Sequence, residues 1–167
     1  MTATPRAVCV GIDPGVTGGV AILDAETGAL VQAIRTPVLP IPGKKEYDLQ
    51  GMRDVLDAVC IRLVTIEKAG ARPTDGKVGL FSYGCGYGMW LGLMAALGIP
   101  YIEVPPQRWQ SKMLAGLPRG PKIKASAMRA AKSLFPTLPV RVKADNGIAD
   151  AALIAEYGRR VHQGGKL

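Results

Sequence analysis

Three apolar segments near the start of the chain constrain its fold more than any other feature. They cover residues 7–12, 18–23 and 30–35, and they are rich in the aliphatic residues found in buried β-strands. The links between them are too short to contain a helical crossover. Because strands joined by such short links pair antiparallel, we predict a meander of three neighbouring strands.

The remainder of the chain alternates between helical and strand patterns. Apolar spacing predicts a helix from about residue 107 and further helices over 48–61, 87–97, 122–135 and 146–161. Short strands are predicted over 63–66 and 101–104, and loops over 69–79 and 116–121. Since strands reached through helical crossovers pair parallel, we predict one α/β domain over residues 1–167, with a mixed sheet of three antiparallel strands followed by two parallel ones.

The composition suits an ordinary globular domain. The chain has 167 residues, of which 48% are hydrophobic and 20% charged. Its first residues lack the pattern of a secretory signal, and the longest apolar stretch, residues 89–100, is too short to cross a membrane. Cys9, Cys60 and Cys85 form no CxxC pair, so neither structural zinc nor a disulfide framework is expected. We expect a soluble, cytoplasmic protein with no membrane partner and no small-molecule cofactor.

Positive charge is concentrated in the last third of the chain. The formal net charge is +8, yet the segment up to Val104 carries nine Lys and Arg against ten Asp and Glu. From Pro105 onward there are twelve basic residues against three acidic ones. Such asymmetry favours a surface that binds a polyanion, and nucleic acid fits better than an anionic membrane because no amphipathic anchor accompanies it. A generic solvated basic surface is the alternative.

Four acidic residues occupy positions where a carboxylate is costly. Asp13 and Glu67 each follow directly on a predicted buried strand, Asp150 lies within the apolar face of the last helix, and Asp145 lies near the start of that helix. A carboxylate at the edge of a core must be paired or bound to a metal. Each acid alone also fits a turn or a helix cap, but together they indicate one converging site.

Converging carboxylates repel one another, and a hard divalent cation relieves that repulsion. Oxygen ligands favour Mg²⁺, with Mn²⁺ as a substitute. Two such ions about 4 Å apart would activate a water and stabilise the leaving oxygen of a phosphodiester. The acids therefore predict a metal-dependent phosphodiester hydrolase.

Four segments resemble, in order, those of the RuvC family of Holliday junction resolvases, and the third is similar to the phage-like branch. They are VGIDPGVTG at 10–18, TIEK at 65–68, the segment 82–110 that ends in VPPQRWQ, and ADAALIAEYG at 149–158. The resemblance implies an RNase H-like fold. It also implies a homodimeric, Mg²⁺-dependent endonuclease that nicks two opposed strands of a four-way DNA junction.

The resemblance also assigns roles to individual residues. Asp13, Glu67 and Asp150 match three catalytic, metal-binding acids of the family. Cellular members place a further acid three residues before the last aspartate, which is the position of Gly147 here. Asp145 is the nearest acid and becomes the fourth candidate ligand. Lys112 and Lys124 lie in segments similar to those that bring phosphate-binding lysines to the site.

Further DNA contacts are predicted from the pattern of the residues. A phosphate-contacting stripe is predicted on one helical segment, formed by Lys122, Lys124, Arg129 and Lys132. Phe81 and Tyr83 are candidates for stacking on unpaired bases, with core packing as the alternative. The apolar segment 89–97 could form a two-fold dimer interface or an ordinary core helix.

Two other functions remain open at this level. A junction-binding protein that has lost catalysis is favoured by Gly147 and opposed by Asp13, Glu67 and Asp150. Residues 13–19 also resemble the first phosphate loop of sugar-kinase and actin-like ATPases. Those folds need two such domains and a longer chain, so the length argues against them.

Overall fold

The computed structural model describes residues 6–57, 59–68, 70 and 76–164, and they contain a five-stranded mixed sheet. Its strands are β1 (Ala7–Asp13), β2 (Gly19–Asp24), β3 (Leu30–Arg35), β4 (Cys60–Glu67) and β5 (Tyr101–Val104). They lie in the order β3-β2-β1-β4-β5. β1 to β3 pair antiparallel, whereas β4 pairs parallel with both β1 and β5. The predicted arrangement of three antiparallel and two parallel strands is confirmed.

Helices cover both faces of the sheet. They are α1 (Leu49–Asp57), α2 (Lys77–Ala96), α3 (Pro106–Met113), α4 (Ile123–Leu134) and α5 (Asn146–His162). α1 and α2 share one core with the sheet, and α3, α4 and α5 share another. Within the described ranges, no helix is both long enough and apolar enough to cross a membrane.

The ends of β1 and β4 meet at one edge of the sheet. Ile12 lies beside Ile66 in the parallel register, so Asp13 and Glu67 emerge next to each other. Ile12 and Ile66 belong to the core beneath α1 and α2. Because side chains alternate along a strand, both carboxylates point toward the layer that contains α5.

Glycine allows α5 to approach the sheet at backbone distance. A Cβ atom on Gly11 of β1 would lie 2.2 Å from the carbonyl oxygen of Ala151 and 2.3 Å from the amide nitrogen of Ala155. Farther along the helix, a Cβ on Gly158 would lie 1.7 Å from Oγ1 of Thr65 in β4. This close packing holds the first turns of α5 beside the ends of β1 and β4.

The prediction for α2 was wrong at its beginning. The helix starts at Lys77, ten residues before the predicted start, so the end of the predicted loop 69–79 is helical. Residues 69 and 71–75 of that loop lie outside the described residues. Glycine disfavours a helix interior by about 1 kcal/mol, but packing decides here: a Cβ on Gly86 would lie 2.2 Å from the hydroxyl of Tyr47.

The boundary between α1 and β4 also differs from the prediction. The helix ends at Asp57 instead of residue 61, and β4 begins at Cys60 instead of residue 63. Cys60 and Ile61 belong to the sheet, where they pair with Ala7 and Val8 of β1. Apolar spacing alone cannot distinguish the end of a helix from the start of a buried strand.

Candidate active site

Three of the predicted acids lie in one region at the edge of the sheet. Asp13 ends β1, Glu67 ends β4 and Asp150 lies in the second turn of α5. Burial, followed by the charge of Glu67, raises the pKa of Asp13 to about 7. Burial, followed by the charges of Asp13 and Glu67, raises the pKa of Asp150 to about 8. The three carboxylates therefore destabilise one another's ionised forms.

The chemistry of this donor set fits a hard divalent cation. All three donors are carboxylates, which Mg²⁺ and Mn²⁺ prefer. A bound cation would offset the burial and the mutual repulsion that raise the pKa values of Asp13 and Asp150. In the part of the chain that the structure describes, no cluster of three or more His, Cys, Asp or Glu is arranged closely enough to count as a metal site. The acids are thus gathered in one region without being drawn together around a common point.

Glu67 is held by two hydrogen bonds from aromatic side chains. The indole N–H of buried Trp109 donates to Oε2 of Glu67 at 2.7 Å, and the hydroxyl of Tyr83 donates to Oε1 at 3.3 Å. Burial and the charges of Glu67 and Asp13 raise the pKa of Tyr83, so its hydroxyl stays protonated and donates. Sequence reasoning placed Trp109 in the core and missed this contact, which no local pattern signals.

Lys124 lies close to the acids. Its positive charge lowers the pKa of both Asp13 and Asp150, partly opposing the effect of burial. It projects from the first turn of α4 and is exposed. A cation in this position can neutralise a phosphate that approaches the carboxylates.

The other predicted DNA contacts lie on nearby exposed surfaces. Arg129 and Lys132 are exposed on α4, Lys122 directly precedes that helix, and Lys112 lies in the last turn of α3. Phe81 is 75% exposed on α2. Tyr83, by contrast, is half-buried and bonded to Glu67.

The structure does not bring Asp145 to the other acids. Its Oδ1 accepts hydrogen bonds from Nε and Nη2 of Arg35 at 3.0 and 2.6 Å, and its Oδ2 accepts from the backbone N–H groups of Arg141 and Val142. The two backbone donors and Arg35 lower the pKa of Asp145 to about 2. A carboxylate satisfied in this way ties the loop before α5 to β3, and we leave it out of the candidate metal site.

Gly147 is a packing position in this fold. A Cβ atom there would lie 2.4 Å from Cα of Gly18 and 2.5 Å from the carbonyl oxygen of Thr17. No acidic side chain fits between α5 and the start of β2 without movement of the backbone. Gly147 is therefore required by the close approach of the helix, which removes the sequence argument that it marks a lost catalytic acid.

Solved structures of two resolvases share this architecture, although no protein-family model and no curated protein matches the sequence. Thermus thermophilus RuvC in complex with a Holliday junction substrate superimposes with a TM-score of 0.65 at 17% identity, covering 95% of this chain and 97% of that one. A second T. thermophilus RuvC structure gives 0.63 at 19% identity, covering 94% and 96%. The yeast mitochondrial Holliday junction resolvase Ydc2 gives 0.56 at 14% identity, covering 94% and 78%. The chain therefore has the RNase H-like fold of RuvC.

Proposed function

We propose that this protein is a divalent-metal-dependent endonuclease that resolves four-way DNA junctions. The observation that carries the proposal is that Asp13, Glu67 and Asp150 lie in one region at the carboxyl ends of β1 and β4, where burial, followed by the charges of the neighbouring acids, raises the pKa values of Asp13 and Asp150. The RuvC-like fold supports the proposal, and the acidic site adds chemical evidence that a fold alone cannot supply. The concentrated positive charge supports DNA as the substrate.

Each residue of the site has a distinct task in this proposal. Asp13, Glu67 and Asp150 would hold Mg²⁺ or Mn²⁺, which when bound as a pair would activate a water and stabilise the leaving oxygen of the phosphodiester. Lys124 binds the incoming phosphate and neutralises part of its charge. Trp109 holds Glu67 in one orientation, so the carboxylate does not have to be ordered when the substrate arrives.

A direct test is to incubate the protein with a labelled four-way junction and with a duplex of the same sequence. We expect symmetric nicks in two opposed strands of the junction when Mg²⁺ is present, and none with a chelator. Duplex DNA should remain uncut. Tight junction binding without nicks in Mg²⁺ or Mn²⁺ would instead make this a junction-binding protein.

Replacing Trp109 by Phe should raise the metal concentration needed for half-maximal nicking. The change removes the N–H donor to Glu67, and loss of such a supporting contact typically costs about 10- to 100-fold in metal affinity or activity. Junction affinity measured in chelator should stay unchanged.

Trp90→Phe is the matched control for this prediction. Trp90 is fully buried in α2, and its indole N–H has no hydrogen-bond partner among the described residues. The two variants lose the same volume from the core, but only Trp109→Phe loses a contact to Glu67. Equal metal requirements in both variants would show that Trp109 acts only through packing.

We propose further that the protein is a homodimer formed through α2. Phe81, Gly84, Gly88 and Gly92 lie along one side of this helix, and a Cβ on any of the three glycines would meet open space. The helix carries a single charged residue, Lys77, at its first position. The same apolar face of a second copy would bury this surface. The resulting two-fold dimer would carry two active sites, one for each of the two nicks.

Gly88→Glu should convert the dimer to a monomer. The charge would be buried against the partner without a counter-ion, which is strongly unfavourable. Sedimentation velocity measures the outcome. Gly79→Glu places the same charge at an exposed position on the opposite side of the same helix. This variant should remain dimeric. A wild-type protein that sediments as a monomer at micromolar concentration would overturn this proposal.

A further inference from the structure

A groove of about 710 Å³ lies along α4 beside the candidate active site. Four basic residues line it: Lys124, Arg129, Lys132 and Arg141. Its volume is within the range of about 300–1,000 Å³ that is typical of pockets for small ligands. Arg141 was not among the predicted DNA contacts, because only the tertiary fold brings it opposite α4.

The electrostatic character of the groove favours an anion. Its lining, as far as the chain is described, includes no acidic side chain. Asp145 lies nearby, bound to the backbone N–H of Arg141, but its charge is paired with Arg35 through a 2.6 Å contact. Arg129, Lys132 and Arg141 are therefore available to a ligand, whereas Lys124 is shared with the carboxylates of the candidate active site.

The lining also includes an apolar surface. Met128 is half-buried on α4, Val140 is buried, and Val142 is 55% exposed on the facing loop. An exposed valine beside a flexible methionine is a suitable surface for a flat apolar ligand face, because methionine adapts its shape to its neighbours. A site for inorganic anions alone would not need these residues.

Lys124 connects the groove with the carboxylates. Lys124 lines the groove and also lowers the pKa of Asp13 and Asp150, so one end of the groove reaches the candidate active site. Asn146 lines the groove as well and lies one helical turn before Asp150 in α5. A DNA strand whose phosphate lies at the carboxylates would thus continue into the groove.

We propose that this groove binds unpaired nucleotides of the strand that is cut, next to the scissile phosphate; this inference rests on the proposed nuclease function. The phosphates lie against Arg129, Lys132 and Arg141, and a base packs on Met128 and Val142. A single strand combines charged and apolar faces in the way the groove does. An intact duplex would present only its phosphates and would leave the apolar surface unused.

The test measures binding of oligonucleotides in chelator, where no cutting occurs. The probes are a 12-nucleotide single strand, the same strand with abasic central positions, and a 12-base-pair duplex. Arg129→Ala and Arg141→Ala should each reduce the slope of log affinity against log salt for the single strand by about 0.7, the value for one phosphate contact. Arg53→Ala, on the opposite layer in α1, should leave the slope unchanged.

Val142→Ser separates the base contact from the phosphate contacts. We expect the salt slope to stay unchanged while the wild-type preference for the normal strand over the abasic strand falls by about 15-fold, as expected for two buried methyl groups. Duplex binding should not change. Since Val142 is exposed, the variant should fold, and thermal unfolding verifies this.

The outcomes distinguish the groove from the proposed function. The protein could nick junctions while Arg129→Ala and Arg141→Ala keep the wild-type salt slope and Val142→Ser keeps the preference for the normal strand over the abasic strand. This result would overturn the proposed role of the groove and leave the proposed nuclease function intact. Reduced slopes and a lost base preference in a protein that never nicks would support the groove and contradict the nuclease. Equal losses of duplex and single-strand binding in Val142→Ser would make this surface a duplex contact and overturn the proposal.

Discussion

Replacing Asp150 by Asn is expected to abolish most nicking and, at the same time, to stabilise the metal-free protein. Loss of a supporting contact alone typically costs 10- to 100-fold, so loss of a carboxylate ligand should lower the nicking rate at least about 100-fold. Stability should rise because burial, followed by the charges of Asp13 and Glu67, opposes ionisation of Asp150. Such opposite effects are typical of active sites, where function requires an unfavourable arrangement.

The stabilisation should depend on pH in a defined direction. The pKa of Asp150 rises from 3.8 to about 8 on folding, so between these values the folded protein holds a proton that the unfolded chain has released. The wild-type protein therefore loses stability through Asp150 progressively as the pH rises from about 4 to about 8, and the advantage of Asp150→Asn grows over the same range. Urea unfolding in chelator should show a larger advantage of Asp150→Asn at pH 8 than at pH 5.

Asp54→Asn is the matched control for both effects. Asp54 lies on α1 and accepts a hydrogen bond from Gln50 at 2.7 Å in an exposed position. This variant should match the wild type in nicking and in the pH dependence of unfolding. Wild-type nicking by Asp150→Asn would remove Asp150 from the metal site. An unchanged pH profile would show that its carboxylate is not destabilised by burial and by the other two acids.

Gly147→Asp is expected to destabilise the protein strongly and to leave nicking no faster than in the wild type. The new Cβ would lie 2.4 Å from Cα of Gly18, a backbone atom that cannot move aside by a change of rotamer. Overpacking of a core typically costs about 1–3 kcal/mol and occasionally more, and a contact between two backbones belongs at the upper end. Urea unfolding measures the loss.

Gly79→Asp provides the comparison for this prediction. Gly79 lies in the first turn of α2, where a Cβ meets nothing within 4 Å, and a carboxylate near a helix N-terminus is mildly favourable. The same substitution should therefore cost little stability at this position. If Gly147→Asp folded as well as Gly79→Asp and cut junctions faster, Gly147 would be a lost catalytic position, and the packing argument would be wrong.

Much of the fold follows from local patterns. The short links between the first three strands dictated antiparallel pairing, and the crossovers dictated the parallel strands that follow. Asp13 and Glu67 could be recognised because each ends an apolar strand. The early part of α2 could not be predicted, because its glycines resemble a loop until Tyr47 is seen to pack against Gly86.

The candidate site was predictable only in part, for a similar reason. Asp145 has the same local features as a metal ligand, yet its partner Arg35 lies 110 residues earlier in the chain. Trp109 reads as a core residue, yet its indole N–H meets Glu67 across 42 residues. Pairings at such separations depend on how the layers pack, and a sequence pattern holds no information on them.

The sequence by itself determined the order of the elements, the mixed sheet and the strand-end positions of two acids, because hydrophobic periodicity and link length act locally. The tertiary structure alone decided which carboxylates share an environment. The absence of side chains at Gly11 and Gly147 allows α5 to pack closely on the sheet, which places Asp150 near Asp13. Asp145 instead forms an ion pair with Arg35 and lies apart from the other acids. Burial and charge act through space, so the partners of a carboxylate are known only after the chain has folded around it.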